Sequence, residues 1–570
     1  MEPLANAAQA SAGLHALDWV VLGVYLLGMV AVGASFYKNQ KTTKDFFLAG
    51  RSMSWIPVGL SVVATLFSAI SYMAIPSAIQ RYGIILVAGA TMIFFCIPLV
   101  AKVFMPFYNR MQLYSAYEYL EYRFDVRVRC VASGLFILWR IIWMSIAVYA
   151  PSLALWAATG SPVPLWVIII ILGTFATAYT YLGGMKAVIW TDVIQFLVLF
   201  GGMVLAAILI IFQVDGGVAG IFQTMQDAGK LSFVGKIPEM ASAEGFLQKM
   251  RAYFCTSEAT LIGTLVASFI GHAAFYCVDQ VTVQRYFTAK SLKHAQKSFS
   301  LNAFANVCLH IGLAFLGMAL FAYFAAHPPP QEIAGQAFRH DWRYPYFIAT
   351  AMPVGVAGLL IAALYAATMS SVDSGINSCC TAFLVDFWQR LKYGEVSPAA
   401  AKSDERREQD QLMVAKVGTL VLGVVVVICA CLIPLIGESI ILLTNKLVNS
   451  LCGPMFAIFL LGMFTKRARP LGVCIGALFS LLLTYTLIFD KINFLLRPYK
   501  LSFQWPAVFS LVVALVVGYV LSLLEKKPDI TKLEWTFSMQ RKLWKGREAH
   551  DRASKEGGEE KGEEQEEGKT

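Results

Sequence analysis

Ala366-Ala367-Thr368-Met369-Ser370-Ser371-Val372-Asp373-Ser374 lies in the middle of an apolar run that extends over about 346–387. A run of that length is more than enough to cross the ~30 Å hydrocarbon layer of a bilayer. Polar side chains at that depth must face a protein interior or a water-filled cavity, because lipid offers them no hydrogen-bond partner. Ser370, Ser371 and Ser374 place hydroxyls at i, i+1 and i+4, on little more than one helix face, and Asp373 adds a negative charge. Serines alone also occur where helices simply pack closely. An acid inside a membrane segment is not covered by that explanation and is a functional hypothesis by default.

A second segment, at about 54–79, has the same character. Ser61, Thr65, Ser68 and Ser71 interrupt an apolar helix that then meets Pro76. Discontinuous membrane helices expose backbone carbonyls that can coordinate a cation, and they recur at corresponding places in inverted repeats. The second segment opens one group of five helices and the ninth lies in the next. Both are expected to be interrupted and to share a site near the midplane.

The rest of the chain agrees with a membrane setting. Of 570 residues, 58% are hydrophobic and 14% charged, too little charge to cover a soluble protein of this size. Requiring roughly 20 apolar residues per crossing gives about thirteen segments: 17–37, 54–79, 82–106, 129–159, 162–182, 188–213, 256–280, 299–326, 346–387, 412–435, 438–464, 469–490 and 504–524. The expected division is an extracellular N-terminus at 1–16, a transmembrane transporter domain at 17–524 and a cytoplasmic tail at 525–570. The tail ends in a Glu-, Lys- and Gly-rich stretch expected to stay disordered. The first segment lacks a basic leader and a cleavage site, so it is expected to be retained as a helix.

The net charge of +10 is no sign of nucleic-acid binding, since the basic residues cluster between apolar segments. With the N-terminus outside, the cytoplasmic loops carry Lys38, Lys41, Lys44 and Arg51; Arg110, Arg123, Arg127 and Arg129; Arg285, Lys290, Lys293 and Lys297; Arg390, Lys392, Arg406 and Arg407; and Lys466, Arg467 and Arg469. That bias follows the positive-inside rule, and Lys526, Lys527, Arg541 and Lys542 put the C-terminus inside as well. The eleven cysteines are scattered and lack metal-ligand spacing.

Three longer motifs carry a resemblance. Gly183-Gly184-Met185-Lys186-Ala187-Val188-Ile189-Trp190-Thr191-Asp192-Val193-Ile194-Gln195 resembles the signature of the sodium:solute symporter family, which includes glucose, iodide, monocarboxylate, proline and sialic acid cotransporters. Asp279-Gln280-Val281-Thr282-Val283-Gln284-Arg285-Tyr286 resembles the segment after the family's sixth core helix. Phe459-Leu460-Leu461-Gly462-Met463-Phe464 resembles the end of its tenth. The matches spread from about Asp45 to Arg469.

The resemblance implies an all-α polytopic membrane protein of the LeuT type, a five-plus-five inverted repeat with a core at about 54–464 and flanking helices. It also implies co-transported Na+. By motif match, a sodium site would use carbonyls of Ala64 and Phe67 on the first core helix, the carbonyl of Ala367, and the hydroxyls of Ser370 and Ser371. A second sodium site would use Asp192, Ser370, Asp373 and Ser374. Asp373 departs from the serine common there, and Asp192 has the alternative of a structural acid near the membrane edge.

For the solute, the candidates are Ser68, Ser71, Arg140, His272, Phe275 and Lys446. Sugar-carrying relatives have a glutamine eight residues before a proline of the tenth core helix. Counting back from Pro454 gives Lys446, a cation in place of an amide. A membrane-buried Lys or Arg without a counter-ion costs at least ~3 kcal/mol, so Lys446 and Arg140 need partners. A solute carboxylate is one; the others are Glu438 or another acid for Lys446, and helix carbonyls or snorkelling for Arg140. His272 has the alternative of an ordinary hydrogen-bonded helix residue. Together they point to a carboxylate-bearing solute such as a monocarboxylate, sugar acid or sialic acid, with a neutral sugar or polyol as the alternative. No HExxH, GxSxG, P-loop or carboxylate dyad has a convincing context, so no enzyme is expected. Proton coupling through Asp373 or Asp192, and a transporter-like sensor or channel, remain open at this level.

Overall fold

The computed structural model describes residues 14–35, 43–159, 163–233, 244–255, 259–333, 336–394, 405–436, 440–488, 502–526 and 529–544. Residues 1–13, Lys38, Lys41, Glu438 and the end of the tail lie outside them.

Among the described residues, ten helices are long and apolar enough to span a membrane, and two bent helix pairs raise the number to twelve. The shorter apolar helix Leu165–Ala178 stands where the 162–182 segment was expected. Every expected segment therefore has a counterpart. The only strands among the described residues form a two-residue hairpin, Glu332–Ile333 with Gln336–Ala337.

In chain order the helices are α1 (Ala16–Ser35), α2 (Trp55–Leu66), α3 (Ala69–Tyr82), α4 (Ile84–Met111), α5 (Val126–Thr159) and α6 (Leu165–Ile211). They continue with α7 (Leu261–Cys277), α8 (Gln280–Thr288), α9 (Leu292–Ala326), α10 (Val356–Tyr393), α11 (Glu405–Leu432), α12 (Thr444–Phe464), α13 (Pro470–Ile488) and α14 (Pro506–Leu524).

The first interruption is where it was expected. α2 and α3 meet at 61°. Phe67 leaves helical geometry at φ −87°, ψ 83°, and Ser68 restarts the chain as an N-cap whose Oγ accepts from Ile70 N at 3.1 Å. A serine satisfies the backbone donors that a fresh helix start exposes. The second interruption is not where it was expected. The ninth segment is continuous over Val356–Tyr393, changing only to a π-helical turn at Phe383–Trp388. The break lies instead between α7 and α8, bent by 49°, where Asp279 caps the new helix by accepting from Val281 N at 3.1 Å. Hydroxyls in α10 are tolerated without a break because they bond to carbonyls of α2 and of their own helix.

The two broken helices define the repeats. α2/α3, α4, α5 and the two halves of α6 form the first five segments, and α7/α8, α9, α10, α11 and α12 the second: the LeuT-type five-plus-five fold. α6 is divided at Gly184, whose φ of 56° and ψ of 178° suit glycine almost alone. α1, α13 and α14 flank the core. α1 is tied to α10 by Asp18, whose Oδ1 accepts from Gly355 N at 2.7 Å and Gly358 N at 2.8 Å.

The helices alternate between two faces. One carries the start of α1 and is called here the N-terminal face; the other carries the C-terminal segment and is called the tail face. Several basic residues expected in loops of the tail face are instead buried. Arg123, Arg129 and Arg285 are each no more than 1% exposed. Arg123 donates to the Gly462 and Thr465 carbonyls, each at 2.9 Å. A buried guanidinium requires such partners.

Candidate functional site

The serines of α10 meet the break in α2/α3. Ser370 Oγ donates to the Ala64 carbonyl and Ser371 Oγ to the Thr65 carbonyl, each at 2.8 Å. Both hydroxyls also lie near the Ala367 carbonyl, at 3.1 and 3.2 Å. Ala64, Ala367, Ser370 and Ser371 thus converge, and Phe67 lies at the same break with its ring buried. This is an all-oxygen cluster of carbonyls and hydroxyls, the donor type a hard cation such as sodium prefers.

Three of the four residues expected at the other ion site, Asp192, Asp373 and Ser374, share one network with Ser61, Thr65 and Arg285, which were outside the expected set. Ser370 bonds to the Ala64 and Ala367 carbonyls instead. Asp192 Oδ2 accepts from Ser61 Oγ, from Thr65 Oγ1 at 3.3 Å and from the Arg285 guanidinium at 2.9 Å. Arg285 also donates to Ser61 Oγ at 2.7 Å, to the Val281 carbonyl at 2.8 Å and to Ser374 Oγ. Ser374 Oγ lies 3.1 Å from Thr65 Oγ1 and donates to Asp373 Oδ1 at 2.9 Å. All are buried. Arg285 therefore balances the charge of Asp192, while Asp192 Oδ1 has no hydrogen-bond partner among the described residues.

Toward the N-terminal face, two adjoining cavities of about 250 and 320 Å³ share Leu86, Ser268, Phe275, His310, Asn445 and Asn449 as walls. Ser71 lines the larger and His272 the smaller. Ser68 has a different job, capping α3. A space of this size holds a small organic solute. The tail face is closed beneath it. There Arg129 pairs with Asp386 at 2.8 Å and with Glu121 at 2.9 Å, while Arg390 reaches Glu121 at 2.8 Å. Ser115 and Ser133 both donate to Asp386 Oδ2 at 2.9 Å. The C-terminal segment lies across this closure, with Trp535 stacked on Tyr122 at 4.8 Å and Lys532 donating to the Glu121 carbonyl at 3.0 Å.

Arg140 finds a protein partner. It pairs with Asp279, the cap of α8, through Nε to Oδ1 at 3.1 Å and a second contact between NH2 and Oδ2. Its guanidinium carbon lies 5.5 Å from the Trp143 ring and 5.8 Å from the Phe275 ring, two of the cavity's aromatic walls. Arg140 thus stands directly behind the cavity, at the second helix break.

Lys446 is not among the residues that line either cavity, whereas Thr444, Asn445 and Asn449 line the larger. The reason is local. Thr444–Val448 is a π-helical turn. Its extra residue rotates the register by about 100° relative to an α-helix, so counting eight back from Pro454 lands off the cavity face. Asn445, Asn449, Arg285 and His310 are site residues that sequence reasoning missed, and Ser61 and Thr65, noticed as polar interruptions of the second segment, were not assigned to either ion site. Arg285 and Asp279 were in a recognised motif, and Asp279 carried the signal of a capping residue. His310 had no such signal.

A sodium:solute symporter family model matches residues 46–482. The sodium/sialic acid symporter SiaT of Proteus mirabilis is 34% identical over 468 residues, 82% of this chain and 88% of the relative. The human sodium-coupled monocarboxylate transporter 1 is 30% identical over 466 residues, 80% of this chain and 71% of the relative. A solved structure of a Na+-coupled sialic acid symporter in a substrate-bound outward-open state is 31% identical with a TM-score of 0.75, covering 90% of this chain and 99% of that one.

Proposed function

The chain belongs to the sodium:solute symporter family, and on that premise we propose that it imports a small carboxylate-bearing solute together with sodium by alternating access. The observation that carries the reading is the convergence of Ser370 and Ser371 of α10 on the carbonyls at the α2/α3 break. Sodium held by Ala64, Phe67, Ala367, Ser370 and Ser371 would tie α10 to the broken helix whose other half, α3, borders the cavity through Ser71. Ion and solute then stabilise one arrangement jointly, a coupling typically worth ~1–3 kcal/mol. A second cation would sit against Asp192 Oδ1, with Asp373 and Ser374 in the same network, Ser370 one turn earlier on α10 and Arg285 alongside.

The charge class rests on Arg140. Arg140 lines neither cavity and is buried behind Phe275 and Trp143, held by a single carboxylate, so a solute carboxylate that displaces those rings would compete with Asp279 for the guanidinium. The relatives named for sialic acid and monocarboxylates transport acids, in keeping with this reading. The amides of Asn445 and Asn449 and the hydroxyl of Ser71 favour a second reading, a neutral sugar or polyol. The solute enters from the N-terminal face, which is the extracellular one, and the basic tail face is cytoplasmic in the plasma (inner) membrane.

Uptake into proteoliposomes tests both parts. An inward sodium gradient is expected to drive uptake of a sialic or sugar acid, and a pH gradient alone is not. The uncharged analogue should compete poorly with the acid in wild type, and Arg140→Gln should lose that preference while Arg140→Lys retains part of it. Sodium-independent uptake would sink the symport reading. Equal competition by the uncharged analogue would replace the acid with the neutral solute.

A further inference from the structure

His310 of α9 has no part in the sodium or carboxylate readings above, yet it touches both sites. Its side chain lines both cavities. The same ring stands edge-on to Phe67, with centroids 4.8 Å apart and an interplanar angle of 79°. Phe67 is where α2 stops being helical, and its carbonyl is one of the proposed sodium ligands. The imidazole is also fixed from behind, since Nδ1 lies 3.0 Å from the Asn306 carbonyl one turn earlier. A carbonyl can only accept, so Nδ1 carries the hydrogen, and in the neutral ring Nε2 is left as an acceptor. The same lining offers mixed donors and acceptors from Asn445 and Asn449. His310 adds an acceptor to a lining that also contains Ser268, Phe275 and Leu86.

We infer that His310 is a positioning residue that couples the solute to sodium. A solute hydroxyl or amide N–H donating to Nε2 fixes the imidazole from the cavity side. The imidazole edge then holds the Phe67 ring, and with it the backbone at the break. Each ligand therefore finds the site better ordered when the other is bound. The solute class this favours is an acid that also carries hydroxyl or amide donors. The inference rests on the symport reading above, and it assigns no direct ion contact to His310.

Three variants of the full-length protein in proteoliposomes separate the two edges of the ring. His310→Phe keeps a ring against Phe67 and removes Nε2. It should raise the half-saturating solute concentration about tenfold while leaving sodium binding without solute unchanged. His310→Gln keeps an acceptor and removes the ring. It should raise half-saturating sodium by roughly two- to tenfold, the range of one aromatic pair, with a smaller effect on the solute. His310→Ala should show both changes and lose the solute-induced gain in sodium affinity.

Changes of the same factor in both constants for all three variants would mean that His310 only packs the wall and would overturn the inference. So would three variants indistinguishable from a wild type that shows sodium-driven uptake. A wild type without sodium-driven uptake would instead remove the symport reading itself.

Discussion

Ser370 and Ser371 show how little a sequence needs to say for a candidate ion site to be proposed, and how much it leaves out. Their spacing placed both hydroxyls near one face of a helix, and the structure puts each 2.8 Å from a carbonyl across the break. Ser370→Ala and Ser371→Ala should each raise half-saturating sodium about tenfold. One ligand or hydrogen bond to a charged group is worth ~1.5 kcal/mol, close to one decade. Sodium titration of uptake checks this, and wild-type sodium dependence in both variants would remove the site. Arg140 and Lys446 were read from the same rule, that a membrane-buried cation needs a partner. The rule identified Arg140 as paired without naming Asp279 as its partner. Lys446 was misplaced relative to the cavity because a π-helical turn is invisible to residue counting.

Among elements, the loop before α10 acts as a clasp. Asp341 Oδ1 accepts from Ser77 Oγ of α3 at 3.0 Å, and Oδ2 accepts from Ile440 N at 3.0 Å, where the chain turns into α12. These are parts of both repeats, joined at the N-terminal face beside the cavity. Burial raises the Asp341 carboxyl from its ordinary value, and the two hydrogen bonds, with Arg339 and Arg81 nearby, offset this only in part. The sign follows by linkage. A carboxyl whose folded pKa is raised contributes stability that is full below its unfolded value near ~4 and is lost as pH rises through the higher folded value. Melting temperature measured from about pH 4 upward should therefore carry a falling component that Asp341→Asn removes. Asp341→Ala should cost ~1–3 kcal/mol, because Ile440 N–H loses its acceptor. A pH profile identical to wild type in Asp341→Asn would refute the clasp's titration.

For the whole molecule, the cavity lies toward one face and a buried ion network closes the other. Arg129, Glu121, Asp386 and Arg390 join the ends of α5 and α10 to the connection before α5, and the C-terminal segment lies over them. Opening the tail face must separate these groups. Asp386→Ala leaves Arg129 buried beside one fewer acid and should cost ~3–5 kcal/mol, seen as a lower melting temperature. Arg129→Met combined with Asp386→Leu should regain most of that stability, since packed apolar residues can replace a buried pair. The double variant should still transport with an altered balance of the two access states, detectable as increased labelling of a cysteine introduced at the tail face. Unchanged labelling would mean that the network is a structural weld and not a gate.

Apolar runs long enough for lipid, and the polarity of the loops between them, are properties of contiguous sequence. They determined the membrane fold, the number of crossings and the interrupted second helix before any contact was known. The serines and the acids were legible for the same reason, since polar groups in an apolar run stand out locally. Tertiary structure decided what depends on residues far apart in the chain. Arg285 and Asp192 are separated by 93 positions, so a cation expected in a loop became the counter-charge of a buried acid. The second break moved from α10 to Asp279 because α10 satisfies its hydroxyls on neighbouring carbonyls, while Asp279 caps one helix and anchors Arg140 of another. Pairing of charges and the register of a helix against a cavity are settled only where elements meet, because desolvated polar groups take whichever partners the packing supplies.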